Sequence, residues 1–189
     1  MLYLGIDQSL NHTGVALVDS LGNAIACHAI IVKKLRGSER LAHVQNELSK
    51  FLACYSQVVA GAIEGPCLGS RHREFDLGEI SGVLKADFFT KGIDLVVVPP
   101  TTLKKFVTGK GQASKDQMLY SVNQKYQLSL TDDNLADAFG LARFSLVHHN
   151  FGNITFPVQR NELETVRSFL VPKKRKLRRP AAKQSLNNL

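Results

Sequence analysis

The 189-residue chain has no tryptophan, only three cysteines and six prolines, and no long apolar run. The missing tryptophan excludes little. Cys27, Cys54 and Cys67 lack CxxC spacing, which argues against a disulfide framework or a zinc site; they read as reduced thiols of a cytosolic protein. No stretch is long enough to span a bilayer, so no membrane partner is expected. The first strand begins near residue 2, which leaves no room for a signal peptide. Glycine and proline are not in excess and 44% of residues are hydrophobic, the composition of a soluble globular chain. The length suits one ordinary domain and is too short for two comfortable ones.

What is abundant is positive charge, a formal +8, and its location matters. Lys173, Lys174, Arg175, Lys176, Arg178, Arg179 and Lys183 supply seven of the 24 basic residues, leaving 17 against 16 acids before them. The basicity is therefore mostly a tail, over 173–189, that reads as disordered. Such a tail can neutralise phosphates and raise non-specific affinity for nucleic acid; localisation and solubility roles stand beside that reading.

Residues 2–7 read as a buried strand ending in a carboxylate, 13–19 as a second strand and 24–32 as a third. Short connections make these an antiparallel meander. The period then changes: Leu41, Val44, Leu48, Phe51 and Leu52 mark an amphipathic helix over 38–54, with Ser38 as a plausible N-cap. A strand over 57–63 runs into Glu64. A helix over 75–91, a strand over 93–98, helices near 101–107 and 115–126, and a last strong helix over 133–148 follow. This order implies an α/β fold, a mixed sheet covered by helices. The pattern weakens after about residue 150, and there is no internal repeat.

Three acids occupy places where an apolar framework should not spend them. Asp7 and Glu64 end apolar strands, and Asp137 lies in an Ala-Asp-Ala step of an apolar helix. Each alone could be a turn or cap residue. Clustered carboxylates repel and are costly to bury, and a hard divalent cation removes that cost. Two such ions can activate a water and stabilise the leaving oxygen of a phosphodiester. Asp133 and Asn134, four and three residues before Asp137, can share its helical face, and the anionic Asp133 has the better chemistry for Mg²⁺. The competing role for Asp133, or for Asp132, is capping that helix.

These residues resemble those of the RuvC Holliday junction resolvases. Gly5-Ile6-Asp7-Gln8-Ser9 followed by Thr13-Gly14-Val15-Ala16 resembles that family's opening, and Ala62-Ile63-Glu64 its second acidic strand. Leu77-Gly78-Glu79-Ile80-Ser81-Gly82-Val83 resembles the helix that follows. Leu103 to Met118 looks like its lysine-bearing segment, and Asp133-Asn134-Leu135-Ala136-Asp137-Ala138 like its final acidic helix. The matches run in order over roughly residues 3–147. The resemblance implies an RNase H-like fold, with a five-stranded sheet of three antiparallel and two parallel strands flanked by helices. It implies a nuclease domain over 1–150, followed by a C-terminal extension over 151–172 and the basic tail. It implies a crossover junction endodeoxyribonuclease of recombination and repair, using Mg²⁺ or Mn²⁺ at Asp7, Glu64, Asp133 and Asp137, with Lys104 and Lys115 as the family's two functional lysines. A homodimer would then nick a four-way DNA junction symmetrically. A phage or viral member is one reading, in which case the cytoplasm is the host's.

The chain departs from the family at two places. Bacterial members often carry an acid or His where this chain has Asn134, and many place a junction-wedging aromatic where it has Cys67. Phe75, or another residue of the 65–76 loop, could replace the wedge. Further DNA contacts are expected from Arg71 and Arg73 in the basic loop after Glu64, from Lys105 and Lys110, and from Lys173, Lys174 and Arg175. His12 is a further phosphate-contact candidate; His148-His149 reads as structural. Three competing functions remain: a broader branched-DNA or flap nuclease, a non-catalytic nucleic-acid-binding module, and an actin-like nucleotide binder. The last needs a duplicated domain for which 189 residues leave no room.

Overall fold

The computed structural model describes residues 1–55, 57–65 and 71–171, with only the backbone at 71–73. The chain runs β1 (Leu2–Asp7), β2 (His12–Asp19), β3 (Ala24–Ile31), α1 (Gly37–Ala53), β4 (Val58–Glu64) and α2 (Arg71–Thr90). It continues through β5 (Asp94–Val98), α3 (Pro100–Thr108), α4 (Lys115–Tyr126), α5 (Asp133–His149) and α6 (Arg160–Leu170). The strands form one sheet in the order β3-β2-β1-β4-β5. β1–β2 and β2–β3 are antiparallel, and β1–β4 and β4–β5 parallel, as the sequence implied.

β1 is the central strand, and its composition explains why. A strand covered on both faces must be apolar on both. Leu4 and Ile6 join Val15, Leu17, Ile63, Val44, Leu84 and Phe88 in a core under α1 and α2. Tyr3 points the other way and joins Ala60, Ala62, Phe139 and Ala142 in a core under α3, α4, α5 and α6. With a period of two, Gly5 and Asp7 share the α5 side with Tyr3, and Glu64 shares it with Ala60 and Ala62.

That face is built from small residues so that α5 can lie close. A Cβ on Gly5 would stand 1.9 Å from the Ala138 carbonyl oxygen, and one on Gly14 would stand 2.3 Å from that of Asn134. Glycine is required at both positions by this close backbone approach.

Several sequence expectations need correction. α1 starts at Gly37 with Arg36 as N-cap and no side-chain cap, so Ser38 lies inside the first turn. α2 begins at Arg71, so Arg71, His72 and Arg73 belong to a helix rather than to a loop. The weak pattern after 150 hid α6, which packs on α3 and α5. Its inward face carries Glu162 and Thr165 beside Val166, all buried, so a hydrophobic count misses it. Glu162 accepts from Nε and Nη2 of Arg143 at 3.1–3.3 Å and from the Tyr126 hydroxyl at 2.8 Å.

Candidate active site

Three separate features of the fold bring the acids together. Ile6 pairs with Ile63 in the parallel β1–β4 register, so Asp7 and Glu64 leave the sheet side by side. α5, held against Gly5 and Gly14, adds Asp137 from above. Asp7, Glu64 and Asp137 each offer a carboxylate oxygen, all within 4.8 Å of one another. Gln8, the next residue in β1's path, donates from Nε2 to the Glu64 carbonyl at 2.9 Å and ties the two strand ends together.

This arrangement is unfavourable without a cation. Burial, then the charges of Glu64 and Asp137, hold the Asp7 carboxyl far above its ordinary range. Burial, then Asp137, pushes Glu64 up to about 7. Burial also raises Asp137 to about 6, although Lys115 and Lys104 pull it down. Asp137 Oδ1 is buried without a hydrogen-bond partner among the described residues. An acceptor left unsatisfied inside a ring of acids is the donor set a hard divalent ion requires. Asp7, Glu64 and Asp137 therefore fit a divalent metal.

The remaining site residues separate into groups. Asp133 is outside the three-acid cluster and forms an ion pair with Lys115. That pair holds the Asp133 carboxyl low and the Lys115 ammonium high. Asp132, not Asp133, caps α5 by accepting from the Asn134 N–H at 2.9 Å, which frees Asp133 for other work. Asn134 bonds the His12 ring at 2.9 Å, and His12 Nε2 lies 3.4 Å from Asp132, so His12 is engaged with the start of α5.

Lys104 is half-buried and lowers the pKa of both Glu64 and Asp137. Lys105 turns the other way, bordering a groove with Thr165, Ser168 and Phe169 and influencing Glu164. Lys110 is exposed after Gly109, whose φ of 81° ends α3. Arg71 and Arg73 occupy the first turn of α2, but their side chains lie outside the described residues, as do Cys67, Lys173, Lys174 and Arg175. Phe75 is 73% exposed on α2.

A family profile described as "Crossover junction endodeoxyribonuclease RuvC" matches residues 3–145. The chain belongs to the RuvC family. Among curated RuvC proteins, that of Rickettsia africae is 30% identical over 159 residues, covering 80% of this chain and all of that one. That of Rickettsia prowazekii is 31% identical over 156 residues, covering 78% of this chain and 98% of its own. The fold is similar to the Thermus thermophilus RuvC structure, with a TM-score of 0.65 at 21% identity over 79% of this chain and 93% of that one. A second structure, of T. thermophilus RuvC in complex with Holliday junction substrate, gives a TM-score of 0.67 at the same identity and coverage.

RuvC family membership accounts for the five-stranded sheet and for acids at two strand ends and one helix. Sequence reasoning did not assign Gln8 a role, although it lay inside the quoted Gly5–Ser9 motif. It also missed Arg40, fully buried at the start of α1. A lone arginine in an amphipathic helix gives no signal of burial.

Proposed function

We propose that this RuvC family chain is a Mg²⁺-dependent endonuclease that resolves four-way DNA junctions by paired nicks. The observation that carries the reading is the buried carboxylate cluster of Asp7, Glu64 and Asp137, with an unpartnered Asp137 oxygen. These three residues would hold the metal, with Asp133 as a further ligand once released from Lys115. When bound, divalent ions supply a Lewis acid and an acidified water for phosphodiester hydrolysis.

The chain's own residues do the rest. Asp7, Glu64 and Asp137 give up their shared protons as the site loads. Gln8 fixes the Glu64 strand end. Lys104, beside the acids, offsets negative charge as it develops on the phosphate. Lys115, if released from Asp133, would be free to contact a phosphate oxygen. Lys110, Arg71, Arg73 and the basic tail lend sequence-independent affinity. Action in the cytoplasm, with Mn²⁺ replacing Mg²⁺, is consistent with this chemistry.

A homodimer would place two sites on one junction. The outward face of α2 suits that role: Phe75 and Phe89, 73% and 84% exposed, flank Gly78 and Gly82 at helical spacing. Two large exposed aromatic side chains on one side of a helix favour a partner surface.

The test is cleavage of labelled four-way junction, flap and linear duplex in Mg²⁺ and in EDTA, by the wild type and Asp7→Asn. Symmetric nicks in the junction alone, lost in EDTA and in the variant, are the expected result. Equal cutting of flaps would point to a broader branched-DNA nuclease. Junction binding without metal-dependent cutting would leave only a nucleic-acid-binding module.

A further inference from the structure

The first turns of α1 and the end of β1 enclose a cleft of about 370 Å³, bordered by Gln8, Ser9, Asn11, Arg36, Arg40 and Asp76. It lies just beyond the strand end that carries Asp7, since Gln8 and Ser9, the next two residues, line it. Arg40 is only 2% exposed, yet its described ion pair is a loose one, 3.4 Å to Asp76, whose side chain is 43% exposed. Its Nε has no hydrogen-bond partner among the described residues. Gln8 is 7% exposed, and its Oε1 is likewise buried and unpartnered. The N-terminus of α1 meets the same cleft. Arg36, its N-cap, provides no side-chain cap, which leaves first-turn N–H groups without a side-chain acceptor from that position, although Glu39 in the same turn partly offsets the helix dipole.

A buried guanidinium that is only partly paired is costly, and its planar fork suits phosphate oxygens. Uncapped helix N–H groups recognise the same chemistry. Two arginines face one aspartate across the cleft, so the balance favours an anion. The substrate supplies one. Lys104 and Lys115 act on the acids from helices on one face of the sheet, and Arg36 and Arg40 stand at the start of α1 on the other face, in the cleft beyond the end of β1. DNA drawn towards three repelling carboxylates needs positive charge on both sides of them.

We infer that this cleft binds a second backbone phosphate of the DNA substrate, beside the one at the acids, with Arg40 and Arg36 as its ligands. A water bridging to that phosphate would donate to Gln8 Oε1. The inference rests on the nuclease reading and assigns a substrate-positioning site within it.

The test replaces single junction linkages around the cut with neutral methylphosphonates and measures binding in EDTA. For the wild type, one linkage other than the scissile one is expected to lose affinity about tenfold, the size of a charge-assisted contact. In a variant carrying Arg36→Ala and Arg40→Gln, the same replacement should cost less than about twofold, and the salt slope of binding should shrink by about 1. If Arg40→Gln does not fold, Arg36→Glu at its exposed position should give the same pattern. Equal linkage effects in wild type and variant, with the junction still bound and cut, would overturn the cleft and leave the nuclease reading intact. Stabilisation by inorganic phosphate without any linkage effect would assign the cleft to a free phosphate and overturn it too. A wild type that neither binds nor cuts the junction would remove both readings.

Discussion

Glu64 and Asp137 make the metal-free protein's stability fall as pH rises through neutrality. Glu64 stands near 7 in the fold against an ordinary value of 4.5, and Asp137 near 6 against 3.8. A folded-state pKa raised above the unfolded one contributes stability that is fully present below the unfolded value. That contribution is lost as pH rises through the folded value, because the folded state then holds protons that the unfolded chain has already released. For Glu64 alone the loss is about 3 kcal/mol between about pH 4.5 and 7. The Asp137 contribution does not simply add, since the acids share one field. In a chain this size, about 3 kcal/mol lowers Tm by roughly 6–12 °C. The assay is thermal unfolding from pH 5 to 8 in EDTA, with wild type and Glu64→Gln in parallel. Wild type should lose Tm relative to Glu64→Gln as pH rises, and saturating Mg²⁺ should restore it. An unchanged difference between the two across this range would refute the reasoning.

Three further perturbations follow from the packing and charge. Glu162→Ala leaves Arg143 buried without its main partner and should cost about 3–5 kcal/mol in denaturant unfolding. Gly5→Ala forces a Cβ into the Ala138 carbonyl; it should cost about 1–3 kcal/mol or more and, by lifting α5, depress activity beyond what stability explains. Lys104→Ala should lower single-turnover cleavage by about 10²-fold with little change in Tm, whereas an equal fall in both would mark the lysine as structural.

The strands, the α/β order and the three acids were legible because apolar runs ending in a carboxylate violate the pattern of a buried sheet. Convergence was not legible from spacing. It depends on the Ile6–Ile63 register and on Gly5 and Gly14, whose role shows only when α5 lies against them. α6 was missed because Glu162 and Thr165 occupy its buried face, the charge of Glu162 being answered by Arg143 and Tyr126, both distant in sequence. The division of labour between Asp132 and Asp133 was open in the sequence, since either can cap a helix. Only the Asn134 N–H to Asp132 bond and the Lys115–Asp133 pair separate them. Neighbouring Lys104 and Lys105 diverge because the roughly 100° step between consecutive helical residues carries them to different surroundings, the acids and α6.

The most direct test is anomalous diffraction from crystals grown with Mn²⁺. Manganese density bounded by the carboxylates of Asp7, Glu64 and Asp137, and lost in Asp137→Asn, is the expected result. Saturating Mn²⁺ that leaves this cluster without density, or that binds only elsewhere, would contradict it.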